Sequence, residues 1–144
     1  MDADSLASAL AREEGAWARG HLERDVVGWL TTVVADGTPK PAIISFLWDG
    51  DSILFYSQPD TLKLRNIARS PVVSFHLGTD RFGDHELIIE GVAEIDPGTA
   101  PSDVHPAYRD KYREPLAHWG MGEAETARDF SVPIRIRPRR VRLG

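Results

Sequence analysis

The sequence of 144 residues contains no cysteine, which excludes disulfide bonds, thiol catalysis, zinc–thiolate sites and iron–sulfur clusters. It has no apolar run near the roughly 20 residues of a membrane-spanning helix, so we predict no membrane span. Its acidic start, Met1-Asp2-Ala3-Asp4, leads into no long apolar stretch, which argues against a secretory signal. We therefore expect a cytoplasmic protein, and the lack of cysteine is compatible with that reducing compartment.

Motifs that mark several catalytic classes are also missing. No serine lies in a Gly-x-Ser-x-Gly turn, and no glycine-rich loop of the nucleoside-triphosphate or Rossmann type is present. The five histidines are scattered without the spacing of metal ligands, so we predict no metal site. From these residues no catalytic acid, base or nucleophile can be assigned.

Charge is distributed unevenly along the chain. The net charge is −5 at pH 7, yet residues 133–144 hold five arginines and no acidic residue. The rest of the chain is therefore strongly acidic, which argues against a nucleic-acid partner. The arginines face either a small anionic ligand or an acidic partner surface, or else they keep a solvated edge strand from aggregating. The residues alone leave these interpretations open.

The alternation of apolar and polar residues predicts a mainly β protein with flanking helices. We predict one domain over 1–144, with an N-terminal helical segment over 1–24 and a C-terminal basic strand over 131–143. Gly15 and Gly20 favour two short helices in the first segment. A helix covers about 61–69, and helical pieces broken by Pro106, Pro115 and a glycine-rich bend cover 104–128. Six strands are predicted: 26–35, 41–48, 52–57, 72–77, 86–96 and 131–143.

These six strands are mostly antiparallel, and we expect them to form a closed or nearly closed small barrel. Closure removes the exposed edges that an open sheet of this size would present.

One segment, 56–67, combines groups that bind anions. A strand ends at Ser57, a short turn follows, and Lys63 and Asn66 then share one face of a helix. A hydroxyl, helix N-terminal N–H groups and an ammonium together form a natural anion site. The alternative interpretation is an ordinary helix cap with exposed basic side chains.

The same segment resembles a known family. The string Ser-Gln-Pro-Asp-Thr over 57–61, with Lys63 and Asn66, and the string Pro-Val-Val-Ser-Phe-His-Leu over 71–77 are similar to the pyridoxamine-phosphate-oxidase-like superfamily of split β-barrel flavin-binding proteins. The hairpin over 37–51 and the Arg137-Pro138-Arg139-Arg140-Val141 ending fit it as well. The resemblance spans about 24–96 and this ending, and it is strongest to the actinobacterial branch that uses the deazaflavin coenzyme F420.

The resemblance implies a homodimer of six-stranded antiparallel Greek-key split barrels with the cofactor at the dimer interface. It implies that Ser57 and Lys63 contact the cofactor phosphate, that Asn66 supports their turn, and that strand residues 41–45 lie behind the ring. Tyr56 is an aromatic candidate for the ring wall, and Arg137 and Arg140 would approach the cofactor or the partner subunit. The predicted cofactor-binding residues are Pro41, Ala42, Ile43, Ile44, Ser45, Tyr56, Ser57, Lys63, Asn66, Arg137 and Arg140.

The function expected from this resemblance is an F420H2-dependent reductase that transfers a hydride to an unsaturated small molecule. The lack of an acid–base constellation suits a redox cofactor, which itself supplies the chemistry. One alternative is an FMN-dependent oxidoreductase, and another is a non-catalytic flavin-, deazaflavin- or tetrapyrrole-binding protein. Because the chain ends two residues after Arg142, it lacks the longer substrate segment of true pyridoxamine-phosphate oxidases, and we do not expect vitamin B6 oxidation.

Overall fold

The structure, a computed structural model, describes residues 5–144. Residues 1–4, which include the start of the predicted helical segment and the acidic N-terminus, lie outside the described residues. The helices are α1 (Leu6–Ala11), α2 (Ala16–Arg24), α3 (Leu62–Arg69), α4 (Pro106–Trp119) and α5 (Glu123–Asp129). The strands are β1 (Gly28–Val33), β2 (Pro39–Ile44), β3 (Leu47–Asp49), β4 (Ser52–Ser57), β5 (Val72–His76), β6 (Leu87–Ile95) and β7 (Val132–Leu143).

The N-terminal segment forms two helices because the chain turns sharply between them. Ser5 caps α1 by accepting a hydrogen bond from the Ser8 N–H at 3.1 Å. A short 3₁₀ turn follows, and at its end Gly15 packs against α1 so closely that a Cβ would lie 2.5 Å from the Ala9 carbonyl oxygen. Only glycine allows this approach, which places Leu6 and Leu10 in the core.

The described strands form one antiparallel sheet in the order β2-β1-β5-β6-β7-β4-β3. The sheet curls around a core that includes Leu30, Phe55 and Phe75, and helices flank it. The predicted mainly β split barrel is therefore confirmed, but its strand count was wrong, because seven strands replace six. The predicted strand 41–48 breaks at residues 45–46, so that β2 pairs with β1 while β3 pairs with β4 at the other end of the sheet.

The break in this strand is held by side chains of α4. The Phe46 N–H donates to the Tyr112 hydroxyl at 2.7 Å, and the Phe46 carbonyl accepts a hydrogen bond from Lys111 Nζ at 2.9 Å. These contacts satisfy main-chain groups that would otherwise pair in a continuous strand. The chain can therefore leave one end of the sheet and enter the other, which nearly closes the barrel.

The basic strand β7 lies inside the sheet, between β6 and β4. The interpretation of its arginines as protection for an edge strand is therefore wrong. They meet acidic residues of neighbouring segments: Arg135 lies 2.8 Å from Asp49 and 2.7 Å from Asp96, and Arg137 pairs with Glu94. Much of the basic charge is thus neutralised within the chain.

The outward face of the sheet has two unlike halves. In the covered half, α4 packs over β3 and β4, and Leu47, Leu54 and Tyr56 are buried beneath Tyr108 and Tyr112. In the bare half, formed by β1, β2 and β5, the cross-strand neighbours Trp29 and Ile43 are 39% and 55% exposed, and no helix of the described residues covers them.

Among residues 5–144, no helix has both the length and the apolar character needed to cross a bilayer.

Candidate functional site

A cavity of about 210 Å³ lies between the broken strand and the α4–α5 pair. Its sheet side is formed by residues 43–45, where β2 ends, together with Tyr56 of β4 and Lys63 of α3. Its opposite side comes from α4, α5 and the bend between them. Most of its lining is apolar, and drug-sized ligands occupy pockets of about 300–1,000 Å³, so one chain alone encloses a small molecule or part of a cofactor.

The structure brings five of the predicted site residues to this cavity. They are Ile43, Ile44, Ser45, Tyr56 and Lys63. Pro41 and Ala42 lie earlier in β2 and do not line the cavity. The convergence follows from the strand break, because residues 45–46 join the end of β2 to β3, which pairs with β4, and α3 begins shortly after β4 ends.

Lys63 is the charged group on the sheet side of the cavity. Its side chain is half-buried, and burial lowers the pKa of its ammonium below the usual value of 10.5. Within residues 5–144, no carboxylate lies within ion-pair distance of Lys63. The ammonium is partly solvated, and an anion at the cavity would offset the desolvation of its buried part, so this position suits an anionic group.

Ser57 lies under the turn that leads into α3. It is fully buried, its hydroxyl donates to the Gln58 carbonyl at 2.8 Å, and it lies 3.1 Å from the Thr61 hydroxyl. Thr61 in turn caps α3, accepting a hydrogen bond from the Leu64 N–H at 3.4 Å. The serine therefore holds the shape of the turn in this structure, and its contact with a phosphate stays a prediction.

Asn66 fastens α3 to the barrel. Its side-chain NH₂ donates to the Thr32 hydroxyl at 3.0 Å, and its carbonyl oxygen accepts from Arg69 at 3.2 Å. Asn66 is buried and does not line the cavity, and its contacts hold the helix that carries Lys63. Its predicted part in supporting the phosphate-binding turn stays a prediction.

Arg137 and Arg140 lie away from the cavity. Arg137 pairs with Glu94, and Arg140 lies opposite Glu90 in the β6–β7 ladder, beside an open groove on that face. Within one chain the structure does not bring them to Ile43–Ser45, and their approach to a cofactor or to a partner subunit stays a prediction.

Three tyrosines whose rings are in contact form the wall between β4 and α4, and of these the sequence predicted Tyr56 alone as a wall residue. The ring of Tyr108 lies 4.8 Å from that of Tyr56, edge-on, and 4.7 Å from that of Tyr112, stacked. The i, i+4 spacing of Tyr108 and Tyr112 indicated a shared helix face but not what it contacts. Burial raises the pKa of Tyr56 to about 12 and raises those of the other two, so all three hydroxyls stay protonated at neutral pH.

The hydroxyl groups of the three tyrosines differ in their hydrogen-bond partners. Tyr56 donates to the Ala100 carbonyl, which holds the loop before α4. The Tyr112 hydroxyl lies 2.7 Å from the Val26 carbonyl oxygen and accepts from the Phe46 N–H. Both hydroxyls are therefore structural anchors, although all three tyrosines line the cavity.

No group of three or more potential metal ligands of the histidine, cysteine or carboxylate type occurs within the described range 5–144.

Comparison with known proteins assigns the family. The family model described as Pyridoxamine 5'-phosphate oxidase matches residues 17–143, and the chain belongs to this family. No curated protein matches the chain.

Solved structures share the same fold. A putative pyridoxamine 5'-phosphate oxidase from Listeria innocua is 26% identical, with a TM-score of 0.68 over 92% of this chain and 98% of that one. A protein described as an F420 reductase is also 26% identical, with a TM-score of 0.64 over 86% of this chain and 94% of that one. The heme storage protein HutZ from Vibrio cholerae is 16% identical, with a TM-score of 0.63 over 92% and 94%, and shows the fold alone.

Proposed function

We propose that this protein is an F420H2-dependent reductase that transfers a hydride to an unsaturated small molecule. The observation that supports this most is Lys63, a half-buried ammonium that lines an apolar cavity without an acidic partner in residues 5–144. An ammonium at the side of an apolar cavity fits a ligand in which a phosphate is attached to a flat ring system. The similarity to an F420 reductase points in the same direction.

The strand residues 41–45 suit the ring of the cofactor. β2 stands at one end of the sheet, so one edge of its main chain has no strand partner among the described residues. N–H and C=O groups on that edge match the polar rim of a deazaflavin or flavin ring, while Ile43 and Ile44 give apolar contacts. When bound, the reduced deazaflavin supplies the hydride, so the protein needs only to bind, orient and shield.

The surroundings of α3 suit an anionic tail longer than one phosphate. Arg65 donates to the Asp60 carbonyl at 2.6 Å, and Arg69 donates to the Val33 carbonyl at 2.6 Å. Neither guanidinium forms an ion pair with a carboxylate of the described chain, so their charge is available to an anion. Coenzyme F420 carries a phosphodiester and a glutamate tail, which favours it over FMN.

FMN is the second candidate cofactor. Lys63 is the single cation on the sheet side of the cavity, and one cation is sufficient for the single phosphate of FMN. The corresponding function is an FMN-dependent oxidoreductase on the same fold.

We further propose that the site is completed by a second copy of the chain. Ile43 lines the cavity and is also more than half exposed on the bare half of the sheet. A partner packed on that half would bury Trp29 and Ile43 and would enclose the cofactor at the interface. Arg140 would then reach toward the partner directly, and Arg137 would do so after exchanging its ion pair with Glu94.

A parallel titration of the purified protein with F420 and with FMN, followed by fluorescence, tests the cofactor. Micromolar binding of F420 with weak FMN binding is the expected result. Preference for FMN would replace the first function with the second, and binding of neither would overturn both.

A matched pair of lysine variants tests the phosphate contact. Lys63→Gln should weaken F420 binding by about 10- to 100-fold, as expected for one charge-assisted hydrogen bond. Lys40→Gln removes an exposed lysine that lies outside the cavity and should leave the affinity unchanged within about twofold. Equal affinities for the two variants would remove Lys63 from the proposed site.

A further inference from the structure

Two hydroxyl groups on the helical side of the cavity have no hydrogen-bond partner. Thr126 of α5 has a fully buried hydroxyl oxygen that has no hydrogen-bond partner in residues 5–144. Tyr108 of α4 is only 7% exposed, and no hydrogen bond to its hydroxyl occurs within the described part of the chain. Because buried polar atoms are nearly always paired, the Thr126 hydroxyl, beside a phenol of the same cavity that also lacks a hydrogen-bond partner in residues 5–144, indicates a ligand that supplies the missing partner.

Both residues line the same cavity, although they come from different helices. The ring of Tyr108 is fixed between Tyr56 and Tyr112, so its hydroxyl has a defined position. Thr126 lies one turn from the start of α5, and its N–H is already used in the helix. The orphaned groups are therefore a phenol and an alcohol held in place by packing and not by polar contacts.

The surroundings of these hydroxyls are mainly apolar, and the described residues on this side of the cavity offer no unpaired cation. Leu116 and Phe130 line the cavity beside them. Arg109 and Glu123, the charged residues of α4 and α5 at the cavity, lie 3.4 Å apart and neutralise each other. Asp103, in the loop before α4, also lines the cavity, so this side carries excess negative charge that disfavours an anionic ligand, in contrast with the Lys63 side.

We propose that Tyr108 and Thr126 form a substrate subsite for a neutral, planar, mainly apolar molecule whose carbonyl oxygen accepts hydrogen bonds from their hydroxyls. This subsite belongs to the reductase proposed above, so its place in catalysis rests on that function. A hydrogen bond to a carbonyl withdraws electrons from a conjugated double bond, which makes the substrate a better hydride acceptor. Burial keeps the pKa of Tyr108 well above its usual value of 10, so the phenol remains a donor.

The test compares two probes that differ in one carbonyl group. Titrations of the protein without cofactor use 2-acetylnaphthalene, which has the carbonyl, and 2-ethylnaphthalene, which lacks it. The wild-type protein should bind the acetyl probe about threefold to tenfold more tightly, as expected for one neutral hydrogen bond. Tyr108→Phe should abolish this preference and leave the affinity for the ethyl probe unchanged, because the ring remains. Thr126→Val should reduce the preference in the same direction.

Tyr112→Phe is the matched control, since it removes a phenol hydroxyl from the same helix one turn away. Its hydroxyl contacts the main chain at Val26 and Phe46, so the variant should melt at a lower temperature but keep the preference for the acetyl probe. A wild-type protein without this preference, or a preference that survives Tyr108→Phe, would overturn the subsite.

Titration of Tyr108→Phe with F420 and FMN separates the substrate from the cofactor. Unchanged cofactor affinity is expected. A loss for the cofactor that exceeds the loss for the acetyl probe would show that the hydroxyls face the cofactor ring, which overturns the substrate assignment. Failure of the wild-type protein to bind either cofactor would instead refute the proposed function, and the acetyl preference would still be measurable.

Discussion

The covered and bare halves of the outward face carry similar apolar residues but reach opposite levels of exposure. Leu47, Leu54 and Tyr56 are buried because α4 lies over them, whereas Trp29 and Val72 are 39% and 49% exposed. The difference comes from polar anchors, since the strand break at Phe46 offers main-chain groups that α4 can bind. The bare half has continuous strands with no such groups on its face, so the partner proposed for it would bind by apolar contact.

The largest effect should come from removing the central anchor of the covered half. Tyr112→Ala should lower the free energy of unfolding by about 3–5 kcal/mol, because it deletes a buried ring and leaves the Phe46 N–H unpaired. The melting temperature should therefore fall by about 10 °C. Phe82→Ala, at a loop residue that is 78% exposed, is the control and should change stability by less than about 0.5 kcal/mol. Similar melting temperatures for the two variants would refute the anchoring contacts.

The next effect should appear in the bare half, as a change in association and not in folding. Trp29→Glu should raise the dimer dissociation constant by about 30-fold or more, as for an interface hot spot of about 2 kcal/mol. Its melting temperature at low concentration should stay close to that of the wild type, since the side chain is already partly exposed. Sedimentation over a dilution series measures the fractions of monomer and dimer. A wild-type protein that stays monomeric at all concentrations would contradict the proposed interface.

The free energy of unfolding should depend on pH through Lys111 of the covered half, and the direction of this dependence follows from its lowered pKa. Burial lowers the pKa of its ammonium to about 8 in the folded chain, against 10.5 in an unfolded chain. The unfolded chain therefore binds more protons between pH 8 and 10.5, so this lysine makes the fold more stable as pH rises through that range. From pH 7.5 to 10 the wild type should gain about 1–2 kcal/mol relative to Lys111→Met.

Denaturant unfolding of both proteins at several pH values measures this difference, and Lys40→Met controls for loss of an exposed lysine. The series should stop at pH 10, because the pKa of Tyr56 is raised to about 12 in the folded chain. Above pH 10 the tyrosine ionises first in the unfolded chain, which lowers stability again. Parallel pH profiles for the wild type and Lys111→Met would show that the ammonium is not buried as described.

The smallest effect concerns the ion pair between Arg137 and Glu94, on the outward side of β7 and β6. Both side chains are half exposed or more, so Arg137→Gln should cost only about 0.2–1 kcal/mol, and the cost should shrink in high salt. Arg135, which is largely buried between Asp49 and Asp96, should cost more when replaced by Gln. Equal and salt-independent losses of stability for the two variants would contradict the description of Arg135 as a buried ion pair and of Arg137 as an exposed one.

Much of the fold could be predicted from the sequence, because alternation and turn residues are local signals. The family resemblance and the mainly β barrel are confirmed. The strand break at residues 45–46 could not be foreseen, since β-propensity is continuous over 41–48 and the break depends on contacts from a helix more than 60 residues away. Pro106 was expected to interrupt a helix, but it starts α4, where the first helical position needs no N–H donor.

The location of the candidate site residues could be predicted where one local motif supplies them, whereas their contacts with a cofactor stay predictions. Lys63 and Asn66 lie on α3 as their spacing indicated, and residues 43–45 reach the same cavity. Tyr108 and Thr126 were not predicted, because their common position at the cavity depends on how α4 and α5 pack on the sheet. The sequence over 104–128 shows helix breakers but gives no signal of which helix face meets the barrel.

The two-residue link at 45–46 joins the first and last strands of the sheet order. Strand pairing runs from β2 through β1, β5, β6, β7 and β4 to β3, and the covalent chain then returns to β2. In most open sheets the terminal strands fray independently, but here a movement of β2 pulls directly on β3. Amide hydrogen exchange should therefore report these two strands, distant in the sheet, as one cooperative opening unit.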